Sequence, residues 1–442
     1  MNSGIAIDAA LASAWHTQSA LSSLQRWLEV CEQEEWGSVP DNLPLLGGVF
    51  GASWYFTRFI FYRGRQTAGL IDKSALFDCS LNAINKELAA ALDASDQEQQ
   101  LEQLRILKNE SMLQILVCYL NGRFDQAEAE LALTNLAEAT LDCAMRIFDL
   151  FSSPRHRIAA LGMGRMAGKE MIFGSDLDLI FLYEHESDES SLQLSKKIRL
   201  LLRHLSSAAS GGTLYDVDMR LRPHGTSGAL LTSVDSFLEY HRQEREIWER
   251  QMMTRCRPVI DKEGMGQTAL QEIMPCIYTE YDETRLRNEV VSMRRRVQME
   301  KGNLSGKFEV KRGRGGLMDI DFITHFLQLR HGCYDPALQT ASTRRALALL
   351  AEKTVIPADT AASLLDAYDF LKRVESSVRL FDMKPISDFS KDPADHLFLA
   401  RAMGFHGDNT NGFLEAYQTV AESVRHHFDG ILGEPAGYND AD

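Results

Sequence analysis

The chain has 442 residues, 45% of them hydrophobic and 25% charged, with a formal net charge of −15. That length supplies material for roughly two to four domains, and no apolar run approaches the roughly 20 residues of a membrane span, so a membrane-embedded protein is excluded. The acidic balance argues against a protein that tracks a nucleic-acid backbone, which shows a basic surface. The first residues, "MNSGIAIDAALASAW", lack a basic n-region and carry Asp8, predicting no secretory signal and a cytoplasmic location. Seven cysteines (31, 79, 118, 143, 256, 276, 333) are scattered, with no CxxC pair, and are expected as reduced thiols rather than disulfides or zinc ligands.

Acidity is concentrated at the front, where residues 1–150 hold 20 acidic against 10 basic side chains. Over Asp96–Leu120, Leu101, Leu104, Met112, Leu116 and Leu120 recur near a 3.6-residue period, predicting a helix. "NGRFD" breaks it, and Leu133, Leu136, Leu141, Ile147 and Leu150 mark a second helix. A helical domain is therefore expected over residues 1–155, closed by a loop at Ser152–Arg157. The texture then changes to short apolar runs separated by glycine: "IAALGMG", "LDLIFLY", "TLYDVDMRLRP" and "GALLTS". Between the second and third runs, "SLQLSKKIRLLLRHLSSAAS" reads as a helix stopped by Gly211 and Gly212. Strand, helix, strand predicts a mixed sheet with helical cover over 156–275. From "SVDSFLEYHRQ" onward the pattern is helical, interrupted by "KFEVKRGRGGLMD" (Lys307–Asp319), giving a helical bundle over 276–442. The expected class is α+β, predominantly helical, with a mixed-sheet domain between two helical ones.

The informative stretch is "GSDLDLIFLYEH", Gly174–His185, which sets Asp176 and Asp178 at the mouth of a buried-strand pattern. Residues i and i+2 of a strand share a face, so both carboxylates point one way, and unpaired charge is costly to bury. An isolated pair of this kind more often marks an exposed strand start or a helix cap. However, "LYDVDMRLRP" holds a second pair, Asp216 and Asp218, with Arg220 and Arg222 continuing the same face. If the two strands are neighbours, three carboxylates converge where repulsion raises their pKa values unless divalent cations neutralise them. Oxygen-only ligands suit Mg²⁺, with Mn²⁺ as the alternative. Paired ions of that kind serve in-line displacement at phosphorus.

A phosphate cradle is expected nearby, in the glycine-rich turn of "LGMGRMAGKEMIFGSDLD", where backbone N–H groups at a helix start receive phosphate oxygens. The same turn spells G-x-G-x-x-x-G (Gly162, Gly164, Gly168), with Glu184 at the end of the next apolar run, the outline of a dinucleotide site. Against that rival, a crossover helix between Arg165 and Phe173 is short for a βαβ unit, and the four aspartates would have no role.

G-M-G, eleven residues, then D-L-D and a later strand aspartate resembles the signature of the DNA polymerase beta superfamily of nucleotidyltransferases. Taken together, "LGMGRMAGKEMIFGSDLDLIF", "DVDMRLRPHGTSGALLTS", "WERQMMTRCRPV" and "GGLMDIDFITHFLQLRHG" resemble the glutamine synthetase adenylyltransferase/adenylyl-removing family, and "EQQLEQLRILKNESMLQI" extends the likeness forward. The resemblance implies a polymerase beta-like domain and transfer of AMP from ATP to a tyrosine hydroxyl of glutamine synthetase, regulating nitrogen assimilation. It implies Asp176, Asp178 and Asp218 as catalytic metal ligands, with Asp218 also placed to take the acceptor's proton. Gly164 and Ser175 would lie at the nucleotide phosphates, with Arg222 as a further phosphate contact. In "KRGRGG", Lys311, Arg312 and Arg314 are placed to close over ATP, the bland reading being a flexible basic loop capped by Asp319. His325 reads as a packing residue of the following helix.

Three readings stay open on these residues. The transferring half of the family reads G-S-D-L-D-L, as here, whereas "LGMGR" and "VDMRLRP" look more like the removing half, which works by phosphorolysis. A catalytically silent module that binds nucleotide or a PII signalling protein is a second reading, disfavoured by intact acids at all three metal positions. A uridylyltransferase is the third, disfavoured by the long "GGLMDIDFITHFLQLRHG" match. The implied partners are glutamine synthetase and the PII protein, with neither nucleic acid nor membrane.

Overall fold

The computed structural model describes residues 3–12, 14–34, 43–151, 156–185, 188–243, 245–302, 305–405 and 409–433. The expected loop at Ser152–Arg157 lies largely outside them, and Arg157 already belongs to a strand.

The front of the chain is helical: α1 (Ser3–Leu11), α2 (Thr17–Gln33), α3 (Leu43–Ala52), α4 (Trp54–Arg63), α5 (Arg65–Lys73), α6 (Leu81–Leu88), α7 (Gln97–Leu120) and α8 (Gln126–Ile147). The two long helices start where their caps dictate. Asp96 accepts the Gln99 N–H at 2.9 Å before α7, and Asp125 with Glu128 forms a reciprocal capping box before α8. The middle runs β1 (His156–Met163), α9 (Gly164–Gly168), β2 (Leu177–His185), α10 (Asp188–Ser206), β3 (Val217–Asp218), β4 (Leu231–Ser233), α11 (Val234–Arg242), α12 (Ile247–Met253), β5 (Cys256–Asp261) and α13 (Met265–Ile277). The remainder is α14 (Glu283–Lys301), β6 (Lys307–Glu309), α15 (Leu317–His331), α16 (Thr343–Glu352), α17 (Ala358–Leu380), β7 (Asp388–Ser390), α18 (Leu397–Ala402) and α19 (Thr410–Leu432). The fold is α+β and predominantly helical, as the patterning predicts.

The main sheet runs β3-β2-β1-β5, with β4 also on β2. β1 is antiparallel to both β2 and β5, whereas β3 and β4 are parallel to β2, so the sheet is mixed. An antiparallel β1–β2 pair is no βαβ unit, α9 has five residues, and Glu184 pairs with Arg157. The dinucleotide reading is thereby excluded.

Strand alternation divides the interior. Ile158, Ala160, Leu177, Leu179 and Phe181 join one core with the N-terminal helices, and Ala159, Leu161, Met163, Ile180 and Leu182 join the other with the C-terminal helices. The sheet is thus buried on both faces, which explains why "LDLIFLY" is apolar throughout rather than alternating. Among the described residues no helix is long and apolar enough to cross a membrane. All seven cysteines are free, and none is exposed.

The structure corrects the reading at several points. β5 and β7 fall in stretches expected to be helical or irregular; β5 is an edge strand whose Pro258 sits at a register shift, so its pattern is weak locally. α10 ends at Ser206, before Gly211 and Gly212, which belong to a turn closed by an Ala209–Gly212 bridge. β3 is two residues long, so the face expected to run from Asp216 to Arg222 stops at Asp218.

Candidate active site

Asp178 lies on β2 with Ile180 and Leu182, on the face turned toward the C-terminal helices. Parallel pairing of β2 with β3 sets Asp178 beside Asp218, and the Leu177 N–H donates to the Asp216 carbonyl at 2.9 Å, locking that register. Asp176 enters from the turn before β2. One carboxylate oxygen from each of Asp176, Asp178 and Asp218 lies within 4.8 Å of the others, and all three side chains are half-buried. Asp216, the fourth candidate, is exposed and does not join them.

Crowding shows in the electrostatics. Burial, then the negative charges of Asp176 and Asp218, pushes Asp178 up to about 7 against the pull of Lys311. Asp218 moves the other way. Burial opposes its ionisation, but Arg220 donates through its backbone N–H (2.8 Å) and through Nε to both carboxylate oxygens (3.0 and 2.9 Å), holding the carboxyl below its usual range. The Arg220 side chain is largely exposed, so an ion at Asp218 displaces a surface cation rather than a buried one.

Facing the carboxylates is a cavity of about 180 Å³ with a cationic wall: Arg165 from α9, Arg255 just before β5, Lys311 from the loop after β6, and Lys372 and Arg379 from α17. Arg255 is committed to Glu170 (2.5 Å) and Asp321 (3.1 Å), and Arg165, Lys372 and Arg379 are also held in place. Glu375, fully buried one turn from both α17 residues, pairs with Arg165 (2.5 Å) and with Arg379 (3.0 Å). Lys372 donates to the Glu170 carbonyl at 2.6 Å and lies 3.4 Å from Glu130. Arg165 beside it, and then burial, brings Lys311 down to about 8. The loop carrying Lys311 is not a flexible one. Arg294 bonds Asp319 (2.5 Å) and the Gly313 carbonyl (2.7 Å), Asp319 accepts the Gly315 N–H (2.7 Å), and Gly315 has φ +73° with no room for a Cβ against the Ala421 carbonyl. Arg312 and Arg314 do not line the cavity. His325 does; it is buried, with Nδ1 3.3 Å from the Gln251 side chain, and burial lowers its pKa to about 4, so it is neutral.

The sequence reading missed Arg165, Lys372 and Arg379. The last two, with Glu375, recur at i, i+3 and i+7 along the otherwise buried α17, a charged stripe on a core face that was visible as a pattern. The other predicted contacts sit differently from expectation. The Gly164 N–H is already donated to the Arg255 carbonyl (3.0 Å), so it is not a bare donor for phosphate. What the position supplies is space: Gly164 has φ +54°, and a Cβ there would stand 3.0 Å from Asp178 Oδ2. Ser175 closes a turn with Ile172, its Oγ accepting the Ile172 N–H at 3.0 Å, and lines a different cavity. Arg222 donates to the carbonyls of Met219 (2.7 Å), Thr226 (3.1 Å) and Gly228 (3.1 Å); its guanidinium braces its own loop and does not line the cavity.

Gly164→Ala is expected to weaken Mg²⁺ binding at least tenfold and to cost about 1 kcal/mol of stability, because the methyl group presses on Asp178 and the backbone conformation disfavours a side chain. Calorimetric titration with Mg²⁺ beside a urea melt checks both figures.

Comparison with known proteins bears on what this geometry serves. The family model described as glutamate-ammonia ligase adenylyltransferase matches residues 44–272, which contain the whole acidic cluster. The chain belongs to that family. A second model, GlnD PII-uridylyltransferase, matches residues 285–432. That span includes "GGLMDIDFITHFLQLRHG", so this stretch does not by itself separate adenylyl from uridylyl transfer. Curated proteins named bifunctional glutamine synthetase adenylyltransferase/adenylyl-removing enzyme are similar along most of the chain. The one from Chromobacterium violaceum is 32% identical over 78% of this chain and 40% of its own length. That from Bordetella bronchiseptica is 29% identical over 85% and 42%, and that from Xanthobacter autotrophicus 30% identical over 89% and 41%. The chain spans about two fifths of the length of these relatives.

The donor set suits a hard divalent cation: carboxylates from two adjacent strands and the turn before one of them, no histidine or cysteine, and one carboxyl held up to about 7 by burial and its acidic neighbours. Among the described residues this is the one such group of three.

Proposed function

We propose that this chain carries one nucleotidyl-transfer site, which moves AMP from ATP to a tyrosine hydroxyl of glutamine synthetase. The observation that carries the reading is the opposition of an acidic triad to a cationic wall across one cavity. Such a wall suits the triphosphate, and the triad suits Mg²⁺, or Mn²⁺ in its place. Asp176, Asp178 and Asp218 would hold the ion, whose charge would offset that of the phosphates and favour the ionised acceptor.

The residues account for the rest. Arg165, Lys311, Lys372 and Arg379 bind and orient the phosphates, so that the acceptor oxygen meets the α-phosphorus in line with the bond to pyrophosphate. The new P–O bond forms as that bond breaks, pyrophosphate leaves along the cationic wall, and the hydroxyl proton passes to the carboxylate cluster. Asp218, expected as the proton acceptor, is ionised as that role requires, but Arg220 holds its carboxyl below the usual range and so makes it a weak base. The match of the C-terminal helices to the uridylyltransferase model supports a PII protein as regulatory partner.

The test is label from α-phosphate-labelled ATP transferred onto unmodified glutamine synthetase with Mg²⁺, beside Asp176→Asn. Label that depends on Asp176 is expected. ATP binding without label would instead favour the adenylyl-removing direction or a silent regulatory module.

A further inference from the structure

A second cavity, of about 300 Å³, lies on the N-terminal side of the acidic cluster, and its lining shares a single residue, Asp176, with that of the first. Its chemistry differs. Where the first cavity has five cations, this one has only Lys108, and its walls are Met112, Leu133, Met171, Ile172, Tyr215 and Met383. Three methionine thioethers favour an aromatic guest, since sulfur packs well against ring edges and the flexible chains adapt to its outline. At the mouth, Asp216, Asp382 and Pro385 are exposed, so a side chain carried on a protein surface has access.

Lys108 has an unusual setting. It is 3% exposed, has no ion pair among the described residues, and makes two long hydrogen bonds, to Asn109 Oδ1 (3.3 Å) and the Thr213 carbonyl (3.4 Å). Its ammonium lies 4.7 Å from the Tyr215 ring centroid. An ammonium with three donors and two weak partners keeps capacity for a polar atom of a guest, and it also attracts aromatic faces.

An in-line displacement needs its two substrates to reach one cluster by separate routes, and Asp176 is where these two routes meet. Resting on the transfer reading above, we infer that the second cavity is the acceptor subsite. It takes an aromatic hydroxyl side chain presented by the protein substrate, with the hydroxyl directed at Asp176 and the ring held among the methionines.

Narrowing the mouth tests this in the full chain. Met383→Trp and Pro385→Trp, at half-buried and exposed positions, are each assayed with glutamine synthetase as the varied acceptor, and ATP binding is titrated separately. Expected is a fall in kcat/KM for the acceptor of about tenfold or more, with the ATP Kd changed by less than about twofold. Wild-type acceptor kinetics in both variants, with ATP binding intact, would overturn the subsite. So would a loss of ATP affinity in both folded variants, which would place the cavity on the nucleotide route. A wild-type chain that binds ATP and labels no acceptor defeats the transfer reading and the subsite together, an outcome seen before either variant is made.

Discussion

On the proposed reading, Asp178→Asn is expected to lower AMP transfer by about 10³-fold, the scale of removing one preorganised electrostatic group from a reaction centre, while making the metal-free protein more stable. Both effects follow from one fact. The Asp178 carboxyl is held up to about 7 by burial and by Asp176 and Asp218, so its ionised form is disfavoured in the folded state. In the unfolded chain it ionises near its ordinary value of 3.8. The wild-type protein therefore loses stability as pH rises from about 4 through 7, and the amide, which cannot ionise, escapes that loss. Thermal melts at pH 8 in a chelator should show the variant melting above the wild type, and Mg²⁺ should raise the wild-type Tm but not the variant's. A variant that melts lower in chelator, or still responds to Mg²⁺, would refute the electrostatic account of the site.

Glu375→Gln is expected to be the most destabilising single change near the cavity, by about 3–5 kcal/mol, because it leaves two guanidinium groups without their buried carboxylate. The same change releases Arg165 and Arg379 from fixed positions on the cationic wall, so on the proposed reading ATP affinity should fall in parallel. Burial alone would raise the Glu375 carboxyl, but Arg165 and Arg379 outweigh it and bring it down to about 2, against 4.5 in an unfolded chain. Its stabilisation is therefore complete above pH 4.5 and is lost as pH falls from there toward 2. Urea melts across that window should show a shallower decline in the variant than in the wild type. Equal slopes would mean that the pair contributes no pH-dependent stability.

The local patterns determined a good deal. A 3.6-residue period and the break at "NGRFD" placed α7 and the start of α8 to within a residue or two, because those helices satisfy their own backbone whatever they pack against, although Leu150, read as part of the second helix, lies beyond its end at Ile147. The apolar run after Asp178 marked a strand covered on both faces. The two D-x-D pairs, read with the glycine turn, pointed to the cluster that β2–β3 pairing creates.

Other features had no local signature. β5 is a strand only because β1 offers an edge for it, and β3 stops at Asp218 because the chain then turns to let Arg222 hold three carbonyls. Gly164 looked like a phosphate donor until its N–H was seen to be taken and its missing side chain to be what makes room for Asp178. The family resemblance singled out Asp218 over Asp216, and the β2–β3 register is the physical reason that Asp218 joins the cluster. The cationic wall gathers α9, the loop after β6 and α17 from positions some two hundred residues apart. A sequence determines its periodicities and caps, which are short-range, whereas the convergence of charges across a cavity depends on how long elements pack, and only the tertiary structure decides it.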